Sequence, residues 1–528
     1  MSKITKYLNQ LITGNVFDAP EILEKYSTDQ SALKITPKLV AFPESTADIQ
    51  KLAKFFHQLS EKNIRVPVTA RGSGLDEVGA DLSTGIIIST EKLNHLEEID
   101  TRERLVRVQA GITLKELNTA LKVSGLTLPV KANDNETIGS LIANCPTDNY
   151  AAKYGGIMRF IERAEIVLAN GECIQTGRLG SHAISKKANE KTLEGRIYQK
   201  LSELASKNSS LLEKIKNESV SSAGYSSIPY AIKKNTIDLL PLFFSSEGSL
   251  GIISEVIIHA EVLEPRATRM VVTFSSLKST ANFLSHVIRE KPLELNIVDL
   301  RILRTAEESG KNLSKITRKL QSGYAVFVSF NEKSLRSNKK IRECVKYIPS
   351  TSSYIVDSAE TESIIDEFEN SIVSYLNLPS DGERIPLASN FYLPARNFIN
   401  FVKDLSELEP KLRMDLPIFG SFATSNYSIR PKFKTSDPKF EQRFAAFLQA
   451  MDIIIRRQEG SIAGGTPEGR VKALVTNKYM SQEEKALYKE VKAAFDPNNI
   501  MNPDVKLGTD NTFTLKHLKT TKTPRIML

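Results

Sequence analysis

The segment ARGSGLDEVG, residues 70–79, places Gly72, Gly74 and Gly79 within eight positions. Glycines reach positive φ and carry no side chain. Successive backbone N–H groups can then converge on one spot and cradle an anion. Arg71 would add charge beside Gly72, Ser73, Gly74 and Leu75. The spacing is G-x-G-x-x-x-x-G, and the next strong element, GIIIST at 85–90, reads as a strand. A dinucleotide fingerprint needs G-x-G-x-x-G opening a helix, so that motif is excluded. No Lys-Ser/Thr pair completes a nucleotide triphosphate loop. An anion nest of another kind and a plain turn both stay open. Three more small-residue segments can bring backbone close to a flat ligand: TIGSLIAN at 137–144, KYGG at 153–156 and SSEGSLGIISEV at 245–256.

The elements around them follow from periodicity. Residues 45–59 predict a helix with Ile49, Leu52, Ala53, Phe56 and Leu59 on one face and Ser45 or Thr46 at its start. RVPVTA at 65–70 and LVRVQAGI at 105–112 predict strands. TLKELNTALKVSG at 113–125 predicts a helix with a Thr113/Glu116 capping box and a Gly125 stop. Residues 164–177 predict a hairpin turning at Asn170-Gly171, and 252–265 a long strand ended by Pro265. Beyond Pro265, strands at 268–274, 293–301 and 324–330 alternate with a helix at 276–290. That pattern predicts a second sheet with helices on one side. A long helix ends near Gly460, and a last one at 481–499 starts from Ser481 and Glu484 and stops at Asp496-Pro497.

The chain has 528 residues, too many for one ordinary core, so two or three domains are expected. No apolar run reaches transmembrane length and the first residues carry no cleavage signal, which predicts a cytoplasmic protein. Cys145, Cys173 and Cys344 are few and scattered, giving neither a zinc pattern nor a disulfide framework. The net charge is +9 and spread out; its densest portion is the tail, 514–528. A solvated tail is the plain reading, with peripheral contact at an acidic membrane face as the alternative. Nucleic acid is not expected: there is no zinc finger, no RNP-type motif and no Trp for stacking.

The motifs, taken in order, resemble a known family. RGSGLDEVGADL looks like the pyrophosphate loop of the FAD-binding domains of the vanillyl-alcohol oxidase/p-cresol methylhydroxylase superfamily. VQAGITLKELNTAL, TIGSLIAN, KYGG, ERAEIVLANGE, SAGY, SSEGSLGIISEV and FDPNNIMNP resemble its later segments, across most of the chain. The nearest branch is the D-lactate dehydrogenase and glycolate oxidase subunit type. The resemblance implies an α+β fold of two domains. The PCMH-type FAD-binding domain would span 1–265 and a cap with a ferredoxin-like sheet 266–455. Residues 456–528 would return to the first domain. It implies FAD against Arg71, Gly72, Ser73, Gly74, Leu75 and Gly79 of the loop. Ile138, Gly139, Ser140, Asn144, Tyr154 and Gly155 would follow, then Glu247, Gly248, Gly251 and Ile252 of the last turn. Ser140 stands where the family has a second glycine, and CPTDNYAA at 145–152 replaces a glycine-rich stretch. The loop holds no His or Cys to tether a flavin, so FAD is expected non-covalently; Cys145 is the only nearby thiol.

In that branch, G-H-x-G-D-G-N-x-H and E-H-G supply a base, carboxylate-orienting groups or metal ligands. This chain has GSFATSNYSIRP at 420–431 and AGGTPEGR at 463–470, with Ser421, Ser428, Gly465 and Thr466 in the matching places. No metal site is expected without those histidines. Removing a hydride from a hydroxy acid needs a base for the hydroxyl proton, worth roughly 10²–10⁴ in rate. Tyr427, Tyr392 or Glu468 could serve. Arg430, Arg470 or Arg384 could bind a carboxylate. The resemblance implies an FAD-dependent oxidoreductase acting on a small hydroxy acid or alcohol, handing electrons to a quinone, cytochrome, electron-transfer flavoprotein or oxygen. The altered motifs admit two other readings. One is a pocket for an alcohol or sugar-like substrate. The other is a flavin-binding protein with altered or lost catalysis, acting as a subunit or binding module.

Overall fold

A computed structural model describes residues 2–317, 320, 322–377, 382–508 and 511–519. The end of the basic tail, 520–528, lies outside the described residues.

The chain forms two units. The first comprises residues 1–146, 157–261 and 466–528. It holds two larger sheets. In one, Asn15–Phe17, Leu39–Phe42, Ile86–Ser89 and Val68–Arg71 lie side by side; the first pair is antiparallel and the rest parallel. Every residue of Leu39–Phe42 and Ile86–Ser89 is buried, as expected of parallel strands covered on both faces. The helix Thr46–Glu61 seals this sheet with Ile49, Leu52, Ala53 and Phe56. It starts where the Ser45 side chain accepts from the Asp48 N–H. The other sheet is antiparallel, in the order Leu96–Asp100, Leu105–Gln109, Ile252–His259, Ile161–Val167, Cys173–Gln175.

The local start and stop signals are obeyed. Leu114–Val123 begins at a complete Thr113/Glu116 capping box, and Gln482–Phe495 at a Ser481/Glu484 box. Gly171 turns the expected hairpin with φ +85°. One reading changes. The expected strand 252–265 is cut after His259, with a short second piece at Glu261–Val262. TIGSLIAN is a helix, Ile138–Asn144, because Thr137 caps it by accepting from the Ser140 N–H.

The second unit comprises residues 147–156 and 262–465. Its seven-stranded antiparallel sheet runs Ser353–Val356, Thr268–Phe274, Tyr324–Phe330, Glu294–Asp299, Ile418–Ser421, Asn426–Ile429, Ala388–Tyr392. Helices Leu300–Glu308 and Glu362–Asn377 cover it through Leu303, Ile365 and Phe368 against Ala325 and Phe327. The expected strand 293–301 ends at Asp299, whose side chain accepts from the Arg301 N–H and starts a helix. The chain changes units after Glu261 and Gly465, against expected boundaries at 265 and 455. Residues 147–156 also depart from an unbroken first domain. They join the second unit because Asn390 Nδ2 donates to the Thr147 carbonyl and Asn331 Nδ2 donates to the Tyr154 hydroxyl at 2.7 Å.

Candidate functional site

Within the first unit, three segments wall one cavity. These are the glycine loop at 70–76, the helix Ile138–Asn144 and the turn 246–251, with Ile253 on the floor. Loop and helix approach closely because residue 72 has no side chain. A Cβ there would lie 2.2 Å from both Ser140 Oγ and Thr137 Oγ1. Gly74 adopts φ +73°, which turns the backbone inward. Among the described residues, the N–H groups of Ser73, Gly74 and Leu75 find no acceptor. The Ser73 hydroxyl is likewise buried without a partner. Three unpaired donors in sequence on a glycine loop can form an anion nest.

The other motifs hold these walls in place. The Glu247 N–H donates to the Ala143 carbonyl at 2.9 Å, tying turn to helix. Asn502, in FDPNNIMNP, donates to the carbonyls of Ala80 at 2.7 Å and Glu247 at 2.6 Å, tying turn to loop. Tyr225, in SAGY, shares a hydrogen bond of 2.8 Å with Ser249. Behind the turn, Lys506 Nζ sits 2.8 Å from Glu468 and 3.4 Å from Glu247, with all three side chains buried. The Gly224 N–H donates to Glu468 at 2.7 Å. Burial pushes the Glu247 carboxyl up to about 7 despite Lys506, and raises Glu468 for the same reason.

The expected cofactor residues divide. Arg71, Gly72, Ser73, Leu75, Gly139, Ser140, Asn144, Glu247, Gly248 and Gly251 line the cavity. Gly74 and Gly79 shape the loop from behind, Gly79 packing on Leu33 with φ +76°. Ile138 and Ile252 are core residues. Tyr154 and Gly155 lie in the second unit. Arg71 departs from its expected role as a free charge. Its guanidinium donates to the carbonyls of Tyr26 at 3.3 Å and Thr28 at 2.9 Å, and faces Asp81 at 3.6 Å. It pins the loop. Sequence reasoning missed Asp76 and Asp81, which also line the cavity, and Asn502, although FDPNNIMNP itself was visible.

The four expected catalytic residues divide between the two units. Glu468 and Arg470 belong to the first unit, Tyr427 and Arg430 to the second. Glu468 is not a solvated base: it is fully buried on Lys506. Arg470 is not a free carboxylate clamp. It donates to the carbonyls of Pro503 at 3.0 Å and Leu82 at 3.1 Å, and burial lowers its pKa. Arg384, the looser candidate, stacks 3.8 Å over the Tyr375 ring and donates to its hydroxyl. Ser428, in a place where the branch has histidine, accepts from the Asn390 N–H at 2.9 Å. Arg430 is half-buried just past the strand Asn426–Ile429.

Tyr427 is fully buried, stacked on Phe398 at 5.0 Å, with a hydroxyl that meets no partner. Burial raises its pKa, so it is no ready base. Tyr427→Phe removes an unsatisfied hydroxyl from a packed aromatic cluster. It should leave stability unchanged or raise it by up to about 1 kcal/mol, read as the urea midpoint. A loss of 2 kcal/mol or more, on the order of a broken buried hydrogen bond, would show that the hydroxyl is bonded.

A family model described as FAD binding domain matches residues 37–177, and one described as FAD linked oxidases, C-terminal domain, matches 263–505. The D-lactate dehydrogenase of Archaeoglobus fulgidus is 24% identical over 493 residues, 91% of this chain and 95% of that protein. The glycolate oxidase subunit GlcD of Bacillus subtilis is 24% identical over 488 residues, 90% of each chain. The D-2-hydroxyglutarate dehydrogenase of Escherichia coli is 23% identical over 499 residues, 90% of this chain but 49% of that protein. The chain thus spans about half the length of the D-2-hydroxyglutarate dehydrogenases that it matches. In fold it is similar to 4-ethylphenol oxidase from Gulosibacter chungangensis, with a TM-score of 0.68 at 13% identity over 96% of this chain and 98% of that one. The two family matches cover most of both units, and the chain belongs to the FAD-linked oxidases with a PCMH-type FAD-binding domain.

Proposed function

We propose that this protein is an FAD-dependent dehydrogenase of a small 2-hydroxy acid, similar in activity to D-lactate or glycolate dehydrogenases. The observation that carries the reading is the cavity of the first unit, with its row of unpaired N–H donors inside the FAD-binding domain. Those donors fit a pyrophosphate. The apolar faces of Ala70, Ala143 and Ile253 fit flat rings. The loop holds no thiol or imidazole, so the cofactor is held non-covalently. When bound, FAD supplies a hydride acceptor. The chain's own residues position it: the loop N–H groups on the anion, the Glu247–Gly251 turn alongside. In the second unit, Arg430 remains the candidate for a substrate carboxylate. Electrons would leave to a quinone, a cytochrome or an electron-transfer flavoprotein. Among the described residues, no helix is long and apolar enough to cross a membrane; we place the chain in the cytoplasm or at its membrane face.

A second reading has its own support. Ser421 and Ser428 stand where the branch has histidines, and Ser428 is occupied by Asn390. That favours altered or lost catalysis, the chain acting as a flavin-binding subunit. One experiment separates the two. The visible spectrum is recorded before and after anaerobic addition of D-lactate, glycolate and D-2-hydroxyglutarate. Flavin bands that bleach with one acid support the dehydrogenase. Bands that bleach only with dithionite support the second reading. No bands after reconstitution with FAD would remove both.

A further inference from the structure

The FAD cavity is lined by carboxylates as well as by open donors. Asp76 and Asp81 face it, and Asp29 stands behind them. One oxygen from each lies within 4.8 Å of the others. Asp29 Oδ2 and Asp81 Oδ1 are buried with no hydrogen-bond partner. Asp76 accepts from the N–H groups of Val78 at 3.1 Å and Ala80 at 2.7 Å, and from Asn144 at 3.5 Å.

The cations around the cluster have other partners as well, although Arg71 pairs with Asp81 and the charge of Lys519 favours the ionised form of Asp29. Arg71 sits on the carbonyls of Tyr26 and Thr28 and reaches Asp81 only at 3.6 Å. Lys519 donates to the carbonyls of Asp29 and Ser31. Arg470 and Lys472 act on Asp76 from a distance, while their own donors rest on Leu82, Pro503 and Thr466. Glu77 and Glu247 add negative charge nearby. Carboxylates this close repel one another, and a pyrophosphate arriving at the adjacent Ser73–Leu75 N–H groups adds to that repulsion.

We propose that FAD binds this protein with uptake of a proton onto the Asp29–Asp76–Asp81 cluster, so that cofactor retention weakens as pH rises. The proposal rests on the FAD reading above. Burial, then the neighbouring Asp81, already holds Asp76 well above the usual carboxylate range, and the same causes act on Asp29. The sign follows. An anion that raises the cluster's proton affinity binds with constant strength below the apoprotein's pKa. Above it, affinity falls by at most about tenfold per pH unit for one proton.

The test titrates apoprotein with FAD from acid to alkaline pH by flavin fluorescence, with calorimetry in two buffers of different protonation heat. Expected for the wild type is a Kd that climbs with pH and a net uptake approaching about one proton. Asp76→Asn keeps one acceptor for the turn but removes the charge; it should bind more tightly at alkaline pH, with a flatter profile. Asp81→Asn provides the same readout if the first variant does not fold. Equal slopes in wild type and both variants, or binding without proton uptake, overturn the proposal. So does affinity set by added Mg²⁺ and not by pH, which would put a cation where we place the proton. Failure of every protein to bind FAD at any pH removes the FAD reading, and the linkage with it.

Discussion

Replacing Lys506 by methionine lowers stability by about 3–5 kcal/mol, the range for stranding buried charge. Lys506 is 1% exposed and holds Glu468 at 2.8 Å, Glu247 at 3.4 Å and the Ser222 carbonyl at 3.0 Å. Methionine fills much of the volume but offers no donor, so the two buried carboxyls lose the cation that both of them contact. They then fold only by taking protons. Burial already lifts Glu247 to about 7, and Glu468 is raised as well. Both pKa values stand above their unfolded ones, so the folded state is favoured at acid pH and loses stability as pH rises. The deficit of the variant should therefore be large at pH 8 and shrink toward pH 5. Urea denaturation at both values reads it. The double variant Lys506→Met, Glu468→Gln keeps an acceptor for the Gly224 N–H and removes one of the two charges, so it should recover part of the loss. A deficit independent of pH, or a strictly additive double variant, would mean that this buried contact is not an ion pair.

That network explains why distant motifs belong together. SAGY, the SSEGSLG turn, the AGGTPEGR segment and the C-terminal segment meet behind one wall of the cavity in the first unit. Little of this was legible in the sequence. Capping boxes were legible because Thr113 with Glu116, and Ser481 with Glu484, act over one turn. The glycine loop was legible because positive φ at Gly74 and Gly79 is a property of the residue type. The helix at 300–308 was missed because the strand reading of LELNIVDLR carries two residues past Asp299, which is the real signal as its N-cap.

Long-range pairings leave no such trace. Arg71, Arg470 and Glu468 are charged residues that spacing offers as ligand groups, yet each is buried on partners that only the fold brings near. Likewise Asp29, Asp76 and Asp81 look like ordinary surface acids in the chain, and only the turn at 76–80 and the packing of 29–33 bring them within one cluster. The second unit is legible as a sheet, since alternating strands carry their own pattern. Its chemistry is less so: Tyr427 read as an acid–base group, whereas its ring packs among Phe391 and Phe398.

Gly74→Val should release the cofactor without unfolding the second unit. Gly74 sits at φ +73°, where a non-glycine residue costs about 1–2 kcal/mol and a β-branched one is a clear outlier. Its Cβ would also lie 2.3 Å from Arg71 Nη2 and 3.0 Å from Nε and Cζ. The guanidinium must then leave the carbonyls of Tyr26 and Thr28, orphaning buried acceptors at about 1–3 kcal/mol. The cheaper escape is for the loop to relax, which scatters the N–H groups of Ser73–Leu75. Each 1.4 kcal/mol lost in this way is tenfold in affinity. FAD binding should weaken by about a hundredfold or more, read by fluorescence titration, with far-UV circular dichroism near that of the wild type. Gly177→Ala is the control: no atom lies within 4 Å of its Cβ, and it should change stability by less than about 0.5 kcal/mol. Wild-type FAD affinity in Gly74→Val would mean that the flavin phosphates bind elsewhere, and the open donors of this loop would need another ligand.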